Sequence, residues 1–210
     1  DAFREAMGVD KFWLYGESYG TQYAQTYAAQ HGAHLAGLML DGTVDLTLDG
    51  YKFYAQQARA FNDTLIATLH TCDDDTACTE DMNGDGVAAY ERLAARLQRR
   101  PLPFRFPLPT GGLPREFTFA DLEVVAAGQM YSEADRMLFS RALAAYASRQ
   151  DLAPLARLLY ISLGLDPETL AAIPDPSYSD GMYYSVECQD YAYPGATPDA
   201  RAENYLHAGN

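Results

Sequence analysis

The sequence predicts an α/β fold in which a strand, a tight turn, a helix and a second strand are followed by a long and mostly helical region. Three observations carry this expectation. The first is the apolar and aromatic run FWLYG at 12–16, which leads straight into a glycine-containing turn. The second is SYGTQYAQTYAAQHG at 18–32, which has the spacing of a helix closed by Gly32. The third is LAGLML at 35–40, a run of the kind found in strands covered on both faces of a parallel sheet. Together they make one βαβ crossover.

Each element follows in order along the chain. Residues 2–7 have the character of a short helix stopped at Gly8, and FWLYG supplies the first buried strand. The second buried strand ends at Asp41-Gly42. From about residue 49 the period changes, and helical patterning occupies 49–70, 86–99, 119–130, 133–148 and 151–163, with no convincing strand among them. Proline-rich breaks at 101–114 and 173–181 divide this region. The expected organisation is therefore a core piece at 1–48, a helical cap at 49–185 and a return segment to the core at 186–210.

Composition narrows the function classes. A formal net charge of −14 repels polyanions, and no Lys/Arg stripe reverses this locally, so a nucleic-acid partner is not expected. Membrane insertion is not expected either. No apolar run reaches the roughly 18 residues a spanning helix needs, and DAFREAMG lacks the order of residues in a signal peptide. The chain has three cysteines. Cys72 and Cys78 lie close together in the acidic stretch HTCDDDTACTED, a spacing that suits a small disulfide loop better than a zinc site, with two free thiols as the alternative. A disulfide implies an oxidising compartment, hence a secreted, periplasmic or cell-surface protein. Cys188 is then the odd thiol.

The turn holds the chemistry. Gly16-Glu17-Ser18-Tyr19-Gly20 has the spacing G-x-S-x-G between a strand and a helix, the setting of a nucleophile elbow. In such a turn the serine hydroxyl stands clear of the sheet edge, and side chains at the flanking glycines are expected to collide with neighbouring elements. Ser18 is the candidate nucleophile. The backbone N–H of Tyr19, at the start of the helix, is a candidate oxyanion donor, helped by the helix dipole.

The stretch GVDKFWLYGESYGTQYAQTYAAQHGAHLAGLMLDGTVD resembles the elbow region of α/β-hydrolases of the prolyl and tripeptidyl aminopeptidase type, where G-E-S-Y-G-T precedes a strand ending in L-D-G. The paired cysteines after the first cap helix and the segment GMYYSVECQDYAY extend the resemblance more loosely. It implies a partial α/β-hydrolase core with a helical cap, Ser18 as nucleophile and Tyr19 as oxyanion donor. Such enzymes also carry a His-Gly-Gly type motif on an earlier strand, and a triad acid and histidine after later ones. Gly111-Gly112 has no histidine before it, and no later strands follow. The chain is thus expected to be an internal piece of a larger hydrolase, inactive alone.

Other candidates have plainer readings. Asp41 could be an acid near the elbow but is expected to be structural. His31 and His34 flank the far end of the elbow helix, His70 ends a cap helix and His207 lies late in the chain; surface positions are expected for all four. DMNGDG at 81–86 resembles the opening of a calcium loop, yet the position that should hold a bidentate glutamate is Arg92, so an Asx turn capping the next helix is preferred. Glu17 is expected to hydrogen-bond within the fold. Glu187, with Asp190 nearby, falls where the resembled aminopeptidases place carboxylates that hold a substrate's α-ammonium group, and Glu187 is the substrate-binding candidate, a salt bridge or helix cap being the alternative. The tyrosine cluster at 178–193 could line a cleft or simply pack.

The expected activity is acyl transfer through Ser18 on short peptides, by an exopeptidase of the prolyl or tripeptidyl aminopeptidase type. Alternatives are a carboxylic ester hydrolase and a non-catalytic module that self-associates through exposed sheet edges. The chemistry calls for no metal and no organic cofactor.

Overall fold

A computed structural model describes residues 1–208. The chain divides into two compact units, one formed by residues 1–55 with the stretch from 186 onward, the other by residues 56–185.

The first unit opens with α1 (Ala2–Ala6), which ends before Gly8 at φ 65°, a left-handed position glycine adopts without a Cβ penalty. Strand β1 (Phe12–Glu17) and strand β2 (Leu35–Asp41) pair in parallel, with Gly16 opposite Leu40 and Glu17 opposite Asp41. Helix α2 (Gly20–His31) and a 3-10 turn (Gly32–His34) make the crossover between them. The expected βαβ unit is present, but its strands are not buried. Trp13, Tyr15 and Met39 are exposed, while Phe12, Leu14 and Gly16 alternate with the exposed residues of β1. A helix covers only one face of a sheet, and the period-two alternation puts the other face in solvent.

Helix α3 (Gly50–Asp73) starts in this unit. Two helices that the sequence reading did not anticipate contribute to it, the last residues of α9 (Asp180–Asp190) and all of α10 (Pro198–Ala208). Neither has a buried residue, so neither carries the apolar stripe by which helices are read from sequence. Their attachment is polar and aromatic: Gly50 N–H donates to the Ala192 carbonyl at 2.8 Å, the Tyr51 hydroxyl to the Arg201 carbonyl at 3.0 Å, and the Tyr51 and Tyr193 rings meet edge to face.

The second unit holds the hydrophobic core. Leu69, Met82, Leu93, Phe106, Phe117, Leu122, Phe139, Leu143 and Leu155 are almost completely buried. Apart from Met82 and the two phenylalanines Phe106 and Phe117, they come from α3, α5 (Gly86–Arg99), α6 (Phe119–Gly128), α7 (Glu133–Arg149) and α8 (Ala153–Ser162), close to the expected helices, with a short α4 (Thr76–Asp81), capped by Met82, inside what was expected to be an acidic loop. The Cys72–Cys78 disulfide forms, with Cα atoms 5.3 Å apart, and Cys188 is free and exposed.

A second expectation is overturned. The proline-rich stretch at 101–114 is not a break between helices but the body of an antiparallel hairpin, β3 (Leu102–Leu108) paired with β4 (Gly111–Phe117). In a two-stranded ribbon both strands are edges, so prolines can sit where no ladder bond is lost. Pro103 faces Glu116, Pro107 faces Gly112 and Pro114 faces Arg105, while Leu102, Phe106 and Phe117 enter the core. Period-two burial was present in LPFRFPL, hidden by its prolines.

The DMNGDG segment caps α5. The Asp85 side chain accepts from Ala88 N–H at 2.7 Å, Asn83 and Gly84 take positive φ, and the Gly86 N–H donates to Asp73 at 2.8 Å.

Candidate active site

The site is built around a residue in an unusual conformation. Ser18 has φ 50°, one of the few non-glycine residues in the left-handed region, and it lies between β1 and the start of α2. Such a conformation costs about 1–3 kcal/mol and persists only where surrounding bonds enforce it. Here the Ser18 N–H donates to the Asp41 carbonyl at 2.8 Å, and the Ser18 carbonyl accepts from the Thr21 N–H at 3.0 Å and the Thr21 hydroxyl at 2.7 Å. Thr21 is fully buried and its hydroxyl also accepts from Val44 N–H at 3.0 Å, tying the turn after β2 to the elbow. Gln25 adds a bond to the Val44 carbonyl at 2.9 Å.

The flanking glycines are not equivalent, contrary to the sequence reading. A Cβ on Gly16 would lie 2.8 Å from both the Ala24 Cβ and the Gly20 carbonyl oxygen, so Gly16 sets the close approach of strand and helix. A Cβ on Gly20 would meet nothing within 4 Å.

The Ser18 amide is consumed by Asp41, so it is no oxyanion donor. Tyr19 is the N-cap of α2, and no side chain caps this helix end. Its N–H therefore belongs to the first-turn amides that have no intrahelical acceptor. The role of Asp41 is structural at the backbone, through that carbonyl; its carboxylate accepts from the Tyr15 hydroxyl at 3.2 Å, and Glu17 accepts from the same hydroxyl at 3.3 Å.

Two carboxylates of the last turns of α9 belong to the same unit. Glu187, half-buried, accepts from the Tyr54 hydroxyl, and Asp190 accepts from the Tyr19 hydroxyl in a short bond. Desolvation, then the bond to Asp190, pushes the Tyr19 phenol well above its ordinary pKa, so it stays a donor at neutral pH. Gln22 on α2 donates to the Tyr191 hydroxyl at 2.8 Å. The link from the residue after the nucleophile to Asp190 was not foreseen, because nothing in the sequence reports contacts across 171 positions.

No histidine hydrogen-bonds Ser18 among the described residues. His34 is bonded to Asp1 and His70 to Asp73, the His31 ring packs against Tyr27 and His34, and His207 lies on α10.

The strand–elbow–helix geometry agrees with comparison to known proteins. Residues 1–71 match the model of the alpha/beta hydrolase fold family. Over this third of the chain the sequence is similar to the α/β-hydrolase fold family. The matched hydrolase segment holds β1, α2, β2 and most of α3, and so contains Ser18 and every residue that pins it. The chain is also similar to the serine protease Hip1 of Mycobacterium tuberculosis and of Mycobacterium bovis, 33% identical over 91 residues, which is 43% of this chain and 17% of each relative. The match thus spans about a sixth of those relatives' length.

Proposed function

We propose that Ser18 is the nucleophile of a serine peptidase that removes short units from peptide N-termini. The observation that carries the reading is the Ser18 backbone, held at φ 50° between a parallel strand and a helix N-terminus by bonds to Asp41 and Thr21. Similarity to a serine protease supports peptide rather than ester substrates. The Ser18 hydroxyl attacks the scissile carbonyl while a base takes its proton, the Tyr19 N–H steadies the oxyanion, the leaving amine receives the proton, and water resolves the acyl-enzyme. No histidine hydrogen-bonds Ser18 among the described residues, so the base comes from another part of the whole protein.

Exopeptidase action rests on Glu187 and Asp190. An anionic pair in the unit that carries the nucleophile suits a substrate's α-ammonium group, and the Tyr54 and Tyr19 phenols keep both carboxylates placed. A Cys72–Cys78 disulfide favours an oxidising location, outside the cell or in its envelope. Among the described residues no helix is long and apolar enough to cross a membrane.

The test compares free and N-acetylated peptidyl arylamides on the whole protein. Glu187→Gln is expected to raise KM for the free amine about 10–100-fold, the loss of one charge-assisted hydrogen bond, and to leave the acetylated substrate unchanged. Equal effects on both substrates would contradict the ammonium role, and turnover surviving Ser18→Ala would contradict the nucleophile.

A further inference from the structure

The opposite end of the elbow helix carries a second cluster of functional side chains. His31 is the last residue of α2, His34 closes the 3-10 turn, and Asp1 directly precedes α1. One imidazole nitrogen from each histidine and one carboxylate oxygen from Asp1 all lie within 4.8 Å of one another, and His34 Nδ1 is 3.0 Å from Asp1 Oδ1. We propose that Asp1, His31 and His34 bind a borderline divalent cation of the Zn²⁺ type, which ties the N-terminal helix to the far end of α2.

Donor chemistry selects the ion class. Two imidazoles and one carboxylate suit zinc and its first-row neighbours, whereas calcium and magnesium take oxygen donors. Geometry allows the ligation. Tetrahedral coordination with bonds of about 2.0–2.1 Å sets ligand atoms roughly 3.4 Å apart. The cluster therefore has to contract by about 1.4 Å at its widest, within reach of histidine side-chain torsions. The two imidazole rings are nearly parallel, 12° apart with centroids 6.1 Å from each other, so they project to the same side although one ends a helix and the other a 3-10 turn. The negative end of the α2 dipole lies here and favours a cation.

Asp1 already has partners. Arg4 contacts it at 2.9 and 3.4 Å and the Tyr27 hydroxyl at 2.9 Å, so a bound cation replaces part of the Arg4 ion pair rather than entering an empty cage. Three protein ligands leave a fourth position for water. A 12-residue helix is about 18 Å long, which separates this site from Ser18 and gives it an anchoring role with no part in acyl transfer.

The test titrates Zn²⁺ alone into the chelator-stripped 210-residue chain against a chromogenic chelator, with circular dichroism confirming that each variant is folded. One ion per chain is expected, with a dissociation constant on the order of micromolar, and a loss of at least about tenfold in His31→Ala, His34→Ala and Asp1→Asn. His70→Ala and His207→Ala are expected to bind as the parent does. Absence of stoichiometric binding below about 100 μM, or equal losses in the His70 and His207 variants, would overturn the proposal. Neither result bears on whether Ser18 is a nucleophile.

Discussion

Replacing Gly16 with alanine tests how the elbow is held. The added Cβ falls 2.8 Å from the Ala24 Cβ and from the Gly20 carbonyl oxygen, against an ordinary carbon–carbon separation of about 3.5–4.0 Å. Neither neighbour is the free end of a flexible chain. Ala24 is buried in α2 and the Gly20 oxygen is backbone, so relief requires β1 and α2 to part by about 1 Å. Overpacking of this kind costs about 1–3 kcal/mol, and a displacement of about 1 Å at a nucleophile costs about 100-fold in rate. Gly20→Ala is the internal control. Its Cβ meets nothing, and alanine is the better helix former by roughly 0.5–1 kcal/mol, so this variant is expected to be as stable as the parent or more so. Denaturant unfolding followed by the fluorescence of Trp13, the sole tryptophan, reads the strand directly. The reasoning fails if Gly16→Ala unfolds at the parent's midpoint, or if Gly20→Ala loses as much as Gly16→Ala does.

Other perturbations reach other parts of the molecule. Thr21→Val preserves shape but removes the hydroxyl that bonds Ser18 and Val44, and about 1–3 kcal/mol should be lost in denaturant unfolding because the buried Val44 N–H is orphaned, while the Ser18 carbonyl keeps the Thr21 N–H. Cys72→Ser opens a loop of sequence separation 6, for which loop-closure entropy gives about 2 kcal/mol, readable as a lower midpoint matched by the reduced parent. In Tyr146→Phe the only side-chain polar atom left buried and unpartnered among the described residues disappears, so stability should stay level or rise by about 1 kcal/mol. Asp73 is held below the usual carboxylate range, chiefly by the Gly86 N–H and also by His70. A carboxyl with a depressed folded pKa stabilises fully above its unfolded value of about 3.9 and loses that contribution as pH falls through the folded value. Melting temperatures followed from pH 5 downward should accordingly fall less steeply in Asp73→Ala than in the parent.

The parts of the account legible in the sequence are those written in local pattern. G-x-S-x-G between an aromatic strand and an amphipathic helix located the elbow, and the apolar spacing of 86–99 and 133–148 located α5 and α7 within a residue. The rest depended on contacts that local pattern does not encode. The β3–β4 hairpin was masked because prolines argue against strands unless each strand is an edge, which only the pairing reveals. Helices α9 and α10 were missed because they are held by single hydrogen bonds and ring contacts rather than a buried stripe. At the elbow, sequence could name Tyr19 for its amide but not for the phenol that holds Asp190, and could not separate a crowded Gly16 from an open Gly20.

The central claim is that Ser18 is the nucleophile, and fluorophosphonate labelling of the whole protein followed by peptide mapping tests it most directly. The expected result is one adduct per molecule, on the peptide that carries Ser18, absent in Ser18→Ala, with much slower labelling of the 210-residue chain alone because no histidine hydrogen-bonds Ser18 among its described residues. An adduct on another serine, or none on a protein that still turns over peptidyl arylamides, would contradict it.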